Sequence, residues 1–183
     1  MQVNIRLQGV EQFQRALAAA GRKIDPVLRG ALNTTATKAR AERYTTPLRP
    51  VLKPKFVRSA MKIKRARRGM MNSRIIPSSS GVPVTRYASW GFDPIDKTRA
   101  RLWVRGPNGR KVAAGFVNPA SVGKQPWRTR GVKRAGTLQP ALGPSVAYWF
   151  KSLTDQQTIT WISDFLQREF EARLQKELAK GAR

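Results

Sequence analysis

The chain opens with two different hydrophobic periods. Apolar and polar residues alternate over positions 2–7, which is the pattern of a half-buried strand. From Val10 to Ile24 apolar residues recur every three or four positions, which predicts a helix with one buried face. A second helix is predicted to begin at Asp25-Pro26, with Asp25 as N-cap, and to stop at the Thr45-Thr46-Pro47 stretch.

The middle of the chain predicts short elements separated by turns. Residues 54–60 suit a short helix, and 61–64 alternate as a strand with a basic face. Residues 77–81 have the composition of a loop. Residues 99–117 predict a β-hairpin around the turn at 106–109. The apolar positions that alternate in this hairpin are Ala100, Leu102, Val104, Val112, Ala114 and Phe116.

A long helix is predicted at the C-terminal end. Thr154 and Gln157 have the spacing of a capping box. The helix then extends for about 25 residues, or roughly 38 Å, which is longer than the core of a small domain needs. Packing on another subunit and folding back on the chain's own sheet both remain open. The apolar positions of this helix are Ile159, Ile162, Phe165, Leu166, Phe170, Leu174 and Leu178.

Together these patterns predict an α+β fold. It has an N-terminal strand and two helices, a small, mostly antiparallel sheet in the middle, and a long C-terminal helix. A length of 183 residues fits one domain over 1–183. Its predicted parts are an N-terminal helical part (1–46), basic sheet and loops (47–134), and a C-terminal helical part (135–183).

The residue types exclude most catalytic chemistry. The chain has no Cys and no His, so thiol nucleophiles, the usual zinc sites and histidine-based triads are excluded. Between positions 29 and 134 the only carboxylates are Glu42, Asp93 and Asp96, too few for a two-metal nuclease. Asp93 and Asp96 lie in a predicted loop, where Asp commonly stabilises a turn. We expect no enzyme activity, no catalytic residue, no metal and no cofactor.

The positive charge is concentrated in one region. The chain has 36 Lys and Arg against 10 Asp and Glu, for a net charge of +26. Residues 29–134 carry +23 of it, whereas 1–28 carry +2 and 135–183 carry +1. Such a field favours a densely anionic partner: nucleic acid first, an anionic membrane second, an acidic protein third. A merely solvated surface is the simplest alternative.

Nucleic acid suits this composition, because Lys and Arg neutralise phosphates without reading sequence. Trp103 with its flanking arginines and Trp127 could stack on bases, although a Trp in a strand more often packs in the core. No base-reading motif is present, so contact with the backbone is the expected mode. The residues predicted to face DNA are Lys62, Lys64, Arg65, Arg67, Arg68, Arg99, Arg101 and Arg105.

The sequence predicts neither a secretory signal nor a membrane-spanning segment. Residues 1–10 lack the apolar stretch of a secretory signal, and no run approaches the roughly 20 apolar residues that span a bilayer. We therefore expect the protein to be made in the cytoplasm and to have no membrane partner.

Four stretches in order resemble the prophage minor tail protein Z family of long-tailed bacteriophages. Together they span most of the chain, and none is a catalytic signature. They are Leu17–Ile24 with Ala31–Arg40, Pro54–Ile63, Ala114–Val117 continuing through Gly123 and Trp127 to Gly131, and Leu142–Val146. The 77–81 loop and the extreme basicity depart from the family's pattern.

The resemblance implies a structural virion protein at the head-proximal end of the tail, assembled in the host cytoplasm. Such a protein acts in tail completion and head–tail joining, beside tail-terminator, tail-tube and neck proteins and the tape-measure protein. It would form a homo-oligomeric ring of about six subunits around the DNA channel. The candidate residues for subunit or partner contacts are Val146, Trp149, Phe150, Trp161, Phe165 and Phe170.

Two other functions remain open. A free, sequence-nonspecific nucleic-acid-binding protein of ribosomal or nucleoid type would carry the same charge. A phage nuclease is the third, and the shortage of carboxylates argues against it.

Overall fold

A computed structural model describes residues 24–120, 125–129 and 138–181, together with four isolated helical residues, Glu11, Gln12, Arg15 and Ala18. The strand predicted over 2–7 lies outside the described residues, as does most of the helix predicted over Val10–Ile24. Among the described residues, no helix has both the length and the apolar composition needed to cross a bilayer.

The fold is α+β, as the hydrophobic pattern predicts. The helices are α1 (Asp25–Ala39), α2 (Thr46–Leu48), α3 (Pro54–Ala60), α4 (Val146–Leu153) and α5 (Gln156–Gly181). A π-helical turn, Arg40–Thr45, joins α1 to α2, and a 3-10 turn covers Val84–Arg86. The strands are β1 (Met61–Lys64), β2 (Arg74–Pro77), β3 (Val82–Pro83), β4 (Trp90–Pro94), β5 (Ala100–Gly106), β6 (Gly109–Val117), β7 (Trp127–Thr129), β8 (Leu138–Pro140) and β9 (Leu142–Gly143).

The strands form two sheets. β1 and β2 make a two-stranded ribbon, and the other seven strands make an antiparallel sheet. Its main order is β3-β9-β6-β5-β4, and β7 pairs with both β6 and β8. The predicted antiparallel sheet is therefore confirmed, as are the predicted helix at 54–60 and the strand at 61–64.

Two compact units divide the chain. One contains the described residues of Met1–Tyr44, Lys62–Ile76 and Lys151–Arg183, and is called the helical unit below. The other, the sheet unit, contains Thr45–Met61 and the described residues of Pro77–Phe150. The three consecutive parts expected from the sequence do not map onto these units one to one, because the basic segment 62–76 groups with the helices.

The core of the helical unit joins α1 to α5. Five side chains form its buried cluster: Val27, Ala31, Leu166, Phe170 and Leu174. Their spacing of three to four residues on each helix produces one apolar stripe per helix. Burying the four larger side chains contributes about 1.5–3 kcal/mol each. The long C-terminal helix thus packs on a helix of its own chain.

The sheet unit is organised around Trp149, which is completely buried. Its indole N–H donates to the Tyr87 hydroxyl at 3.1 Å, and that hydroxyl donates to the Pro144 carbonyl. Gly106 lies against the ring so closely that an added Cβ would lie 2.0 Å from the Trp149 Cη2 atom. Burial raises the pKa of Tyr87 to about 12.

Two helix starts differ from the predicted ones. Asp25 is the first helical residue of α1, rather than its N-cap. At α5 the cap is Asp155, whose Oδ1 accepts the Thr158 backbone N–H at 2.8 Å, instead of Thr154. The Thr154 hydroxyl is hydrogen-bonded to the Tyr44 hydroxyl at 3.2 Å. A carboxylate suits the positive end of a helix dipole better than a hydroxyl does, which accounts for the shift by one residue.

The predicted hairpin is confirmed as β5 and β6, but the prediction that Val112, Ala114 and Phe116 continue its buried face is wrong. All three are exposed, Val112 by 67% and Phe116 by 39%, while Ala113 and Val117 are buried. The pairing shifts by two residues along β6, since Trp103 lies opposite Val112 and Arg101 opposite Phe116. Residues that lie opposite each other point to the same side of the sheet, so Val112 and Phe116 point outward with Trp103 and Arg101, and a shift of two residues preserves that side.

Candidate nucleic-acid interface

The basic run after Met61 forms an arm. In β1, Lys62 and Lys64 are exposed. The arm then turns tightly, because Arg67 and Met70 exchange two backbone hydrogen bonds of 3.0 Å. Gly69 has φ +76°, a left-handed conformation that favours glycine in such a turn. The chain returns as β2, so the cations are held on a ribbon and its turn.

Asn33 on α1 clamps the middle of this arm. Its Oδ1 accepts the Ala66 backbone N–H at 2.8 Å, and its Nδ2 donates to the Ala66 carbonyl at 3.2 Å. Ala66 is only 4% exposed, whereas Arg65 and Arg67 on either side are exposed. The clamp therefore holds the backbone down and leaves the two guanidinium groups in solvent.

The arm and α1 line an open cleft of about 740 Å³, all of it within the helical unit. Six of its lining residues are charged, and all are positive: Arg29, Lys62, Lys64, Arg65, Arg67 and Arg68. None of the six has an ion-pair partner among the described residues. The uncharged lining residues are Asn33, Ile63, Ala66 and Ile76, with no aromatic ring. This arrangement suits a chain of anions rather than an unstacked base.

Five of the eight residues predicted to face DNA line this cleft, which we call the basic cleft. Arg29 and Asn33 were missed by the sequence analysis. They lie at i and i+4 on α1, which places them on one helical face. Nothing in the local pattern links that face to the arm, because Asn33 and Ala66 are 33 residues apart.

The other three predicted residues lie in the sheet unit. Arg99 is paired with Asp96, with 2.6 Å between Nε and Oδ2. Arg101 and Arg105 are exposed on the outward side of β5. The eight predicted cations are therefore divided between the two units, five in the helical unit and three in the sheet unit.

The two carboxylates predicted to lie in a loop have structural partners, although Asp93 lies on strand β4 and not in a loop. Asp96 Oδ1 accepts the backbone N–H groups of Thr98 and Arg99, and these bonds with the Arg99 ion pair lower the pKa of Asp96. The predicted turn role of Asp96 is thus confirmed. Asp93 Oδ1 accepts the Trp103 indole N–H at 3.2 Å. Among the described residues, no group of three or more His, Cys, Asp or Glu side chains could hold a metal ion.

Half of the residues predicted to contact a partner are unavailable for that role. Val146, Trp149 and Phe170 are buried within the chain itself, since they fill its cores. The other three, Phe150, Trp161 and Phe165, are half-buried. Trp161 and Phe165 stack with ring centroids 5.2 Å apart, so one accessible aromatic pair remains on α5.

Comparison with known proteins supplies no relative. No family model, curated protein or solved structure matches this chain. Function is therefore inferred from the geometry and charge of the basic cleft.

Proposed function

We propose that the protein is a non-enzymatic DNA-binding protein that holds the sugar–phosphate backbone of a duplex in the basic cleft. The observation that carries this proposal is the convergence of six cations, with no acidic side chain among the described lining residues. Like charges brought this close repel one another, so an anionic ligand stabilises the arrangement.

Backbone contact follows from the chemistry of the lining. Guanidinium and ammonium groups donate to phosphate oxygens, and counterion release then provides sequence-independent affinity. Base-stacking would require an aromatic ring, and none of the lining residues that the structure describes has one. A regular duplex, whose phosphates face outward, is therefore the preferred form of the ligand.

For the biological setting we propose a structural protein of a phage virion. The resemblance to minor tail proteins supports a place at the head-proximal end of the tail. There an oligomeric ring would join tail to head beside the tail-terminator, tail-tube and neck proteins and the tape-measure protein. The basic cleft would then line or border the channel through which DNA passes. The concentration of charge between 29 and 134 fits that role.

A second setting is favoured by one observation. All residues of the basic cleft come from one compact unit of one chain, so a single subunit suffices to form the site. A free, sequence-nonspecific nucleic-acid-binding protein of ribosomal or nucleoid type would need nothing more.

The proposed DNA site is tested by removing three cleft charges in the variant K64Q/R65Q/R67Q. Binding to a labelled duplex is measured by fluorescence anisotropy over a range of KCl concentrations. Six neutralised phosphates would give a slope of log K against log salt of about −5, and the variant should reduce it by about 2.7. The matched control K151Q/R168Q/K176Q removes three exposed charges from the helical unit outside the cleft. Its slope should stay near that of the wild type.

Equal losses in the two triple variants would contradict the proposal, because they would show a diffuse effect of net charge. Thermal unfolding of each variant checks that the fold is intact.

The two settings differ in what an isolated subunit does. A free DNA-binding protein should bind duplex tightly as a monomer at physiological salt. A ring subunit should bind weakly alone and tightly after assembly with tail proteins. In a phage that carries the gene, charge reversal at Lys64, Arg65 and Arg67 should block the joining of tails to filled heads. A normal infectious yield would argue against the tail role.

A further inference from the structure

The outward side of the β5–β6 hairpin has a composition that DNA binding does not explain. It carries three exposed arginines and three apolar side chains: Arg101, Arg105, Arg110, Trp103, Val112 and Phe116. This surface is called the arginine–apolar face below. It lies wholly in the sheet unit and shares no residue with the basic cleft.

The strand register sets the layout of this face. Arg101 lies opposite Phe116, Trp103 opposite Val112, and Arg105 opposite Arg110. Arg101 and Arg105 are four residues apart on one strand, which places them about 13 Å apart. Trp103 and Val112 lie between the two cations along the strand, and Phe116 lies level with Arg101. The face therefore presents an apolar centre with positive charge at each end.

Its charges are only partly offset. Asp93 on β4 lies opposite Arg101 and accepts the Trp103 indole N–H. Arg105 and Arg110 face each other directly, and like charges in that position destabilise a strand pair. Neither arginine has an ion-pair partner among the described residues. An external carboxylate between them would relieve that repulsion.

Exposed apolar side chains form part of this face. Val112 is 67% exposed on the same side as Phe116. Phosphates and sugars cannot cover such groups favourably, whereas apolar side chains of a protein can. Trp103 is also closed to a base, because the Arg110 guanidinium lies over its ring at 4.2 Å. Gly91 lies so close to the ring that an added Cβ would be 2.5 Å away.

We infer that the arginine–apolar face docks an acidic protein segment that carries large apolar side chains. Its carboxylates pair with Arg101 and with Arg105 and Arg110, and an apolar residue between them covers Val112 and Phe116. A second copy of this chain does not fit, since each copy carries a net charge of +26. The inference stands independently of the proposed DNA site.

Three probes of similar negative charge test it. One is a synthetic peptide of Glu-Ser-Leu-Ser repeats, in which Glu and Leu share one side when the peptide is extended. The second replaces every Leu by Ser, and the third is an oligothymidine. Binding to the full chain is followed by fluorescence titration, and the contact surface by amide chemical-shift changes. Burial of Leu on the face should make the first peptide bind about tenfold more tightly than either of the others.

Two variants locate the contact. V112S/F116S changes only exposed side chains, and it should reduce the affinity of the Leu peptide to that of the Ser peptide. R101Q/R105Q should weaken both peptides, since it removes the ionic part. The cleft variant K64Q/R65Q/R67Q should preserve the ratio of the Leu to the Ser peptide, since its cations lie in the other unit.

Salt provides a further check. Raising the KCl concentration should weaken the binding of both peptides, while the ratio of their affinities persists because apolar burial is not screened. Equal affinity of the Leu and Ser peptides, or tighter binding of the oligothymidine at this face, would overturn the inference. So would shift changes confined to residues outside β4, β5 and β6.

Discussion

One uncharged side chain shapes the proposed DNA site. Asn33 holds the Ala66 peptide by two hydrogen bonds, so the backbone between Arg65 and Arg67 is set before a ligand arrives. Each such bond contributes about 1 kcal/mol net. Preorganisation of this kind lowers the entropy that binding would otherwise have to overcome.

We therefore expect Asn33→Ala to weaken duplex binding by about three- to tenfold. The salt slope should stay unchanged, because the same cations still meet phosphates. Fluorescence anisotropy measures both quantities. Thr37→Ala is the matched control: Thr37 donates to the Asn33 carbonyl one turn further along α1 but does not line the cleft. A fall in slope, or wild-type affinity for Asn33→Ala, would contradict a positioning role.

Tyr87 should make the fold sensitive to alkali. Its pKa is about 12 in the folded chain against 10.0 for an ordinary tyrosine. Between these two pH values the folded state keeps a proton that the unfolded state loses. The contribution of the Tyr87 hydroxyl to stability is therefore fully present below pH 10 and is lost as the pH rises through 12. A pKa difference of two units between the folded and unfolded states corresponds to about 2–3 kcal/mol in the free energy of unfolding.

Comparison with Tyr87→Phe isolates this effect, since lysine deprotonation above pH 10 alters both proteins alike. Urea unfolding at a series of pH values should show the wild type losing stability relative to Tyr87→Phe above pH 10. A difference between the two that does not change with pH would show that Tyr87 titrates normally.

At the scale of elements, the start of α5 depends on Asp155. Hydrogen bonding from Thr158, chiefly its backbone N–H, lowers the pKa of Asp155. The pKa of Asp155 is lower in the folded chain than in the unfolded chain. The cap therefore stabilises the fold fully above the unfolded pKa, and this contribution is lost as the pH falls through the folded pKa.

We expect Asp155→Ala to lower the thermal unfolding midpoint by roughly 2–4 °C at neutral pH, and Asp155→Asn to lower it less, because an amide oxygen still accepts the bond. Circular dichroism measures the midpoint. Asp164→Ala is the control, since it removes one exposed carboxylate from within the same helix. If it lowered the midpoint as much as Asp155→Ala, net charge rather than capping would be responsible.

For the whole molecule, the net charge of +26 acts against the compact state when no anion is bound. Chloride salts screen such repulsion, because the Debye length falls from about 10 Å at 0.1 M to 3 Å at 1 M. Stability and DNA affinity should therefore respond to salt in opposite directions.

We expect KCl over that range to raise the unfolding midpoint by several degrees while it weakens duplex binding. Differential scanning fluorimetry and anisotropy on the same samples measure the two effects. The variant K64Q/R65Q/R67Q should gain less from salt, since fewer like charges remain in the cleft. A midpoint that falls with KCl would show that attractive ion pairs outweigh the repulsion.

The sequence alone predicted those elements whose period is local. The helix over 54–60, the strand over 61–64 and the 99–117 hairpin all appear as expected, because side-chain alternation and turn residues act over a few positions. Prediction from the sequence failed where a contact with a residue distant in the chain determines which side chains are buried. The outward side of Val112 is set by its pairing with Trp103 on β5, and the burial of Trp149 depends on Tyr87 and Gly106.

The amount of charge and its confinement to residues 29–134 were determined by the sequence itself, because net charge is a sum that no fold alters. Only the tertiary structure decided how that charge is divided. It joins Arg29 to the arm in the basic cleft and assigns Arg101 and Arg105 to the sheet unit. The physical reason is that a binding site depends on distances between groups, and those distances are set by contacts such as that of Asn33 with Ala66, which no local pattern encodes.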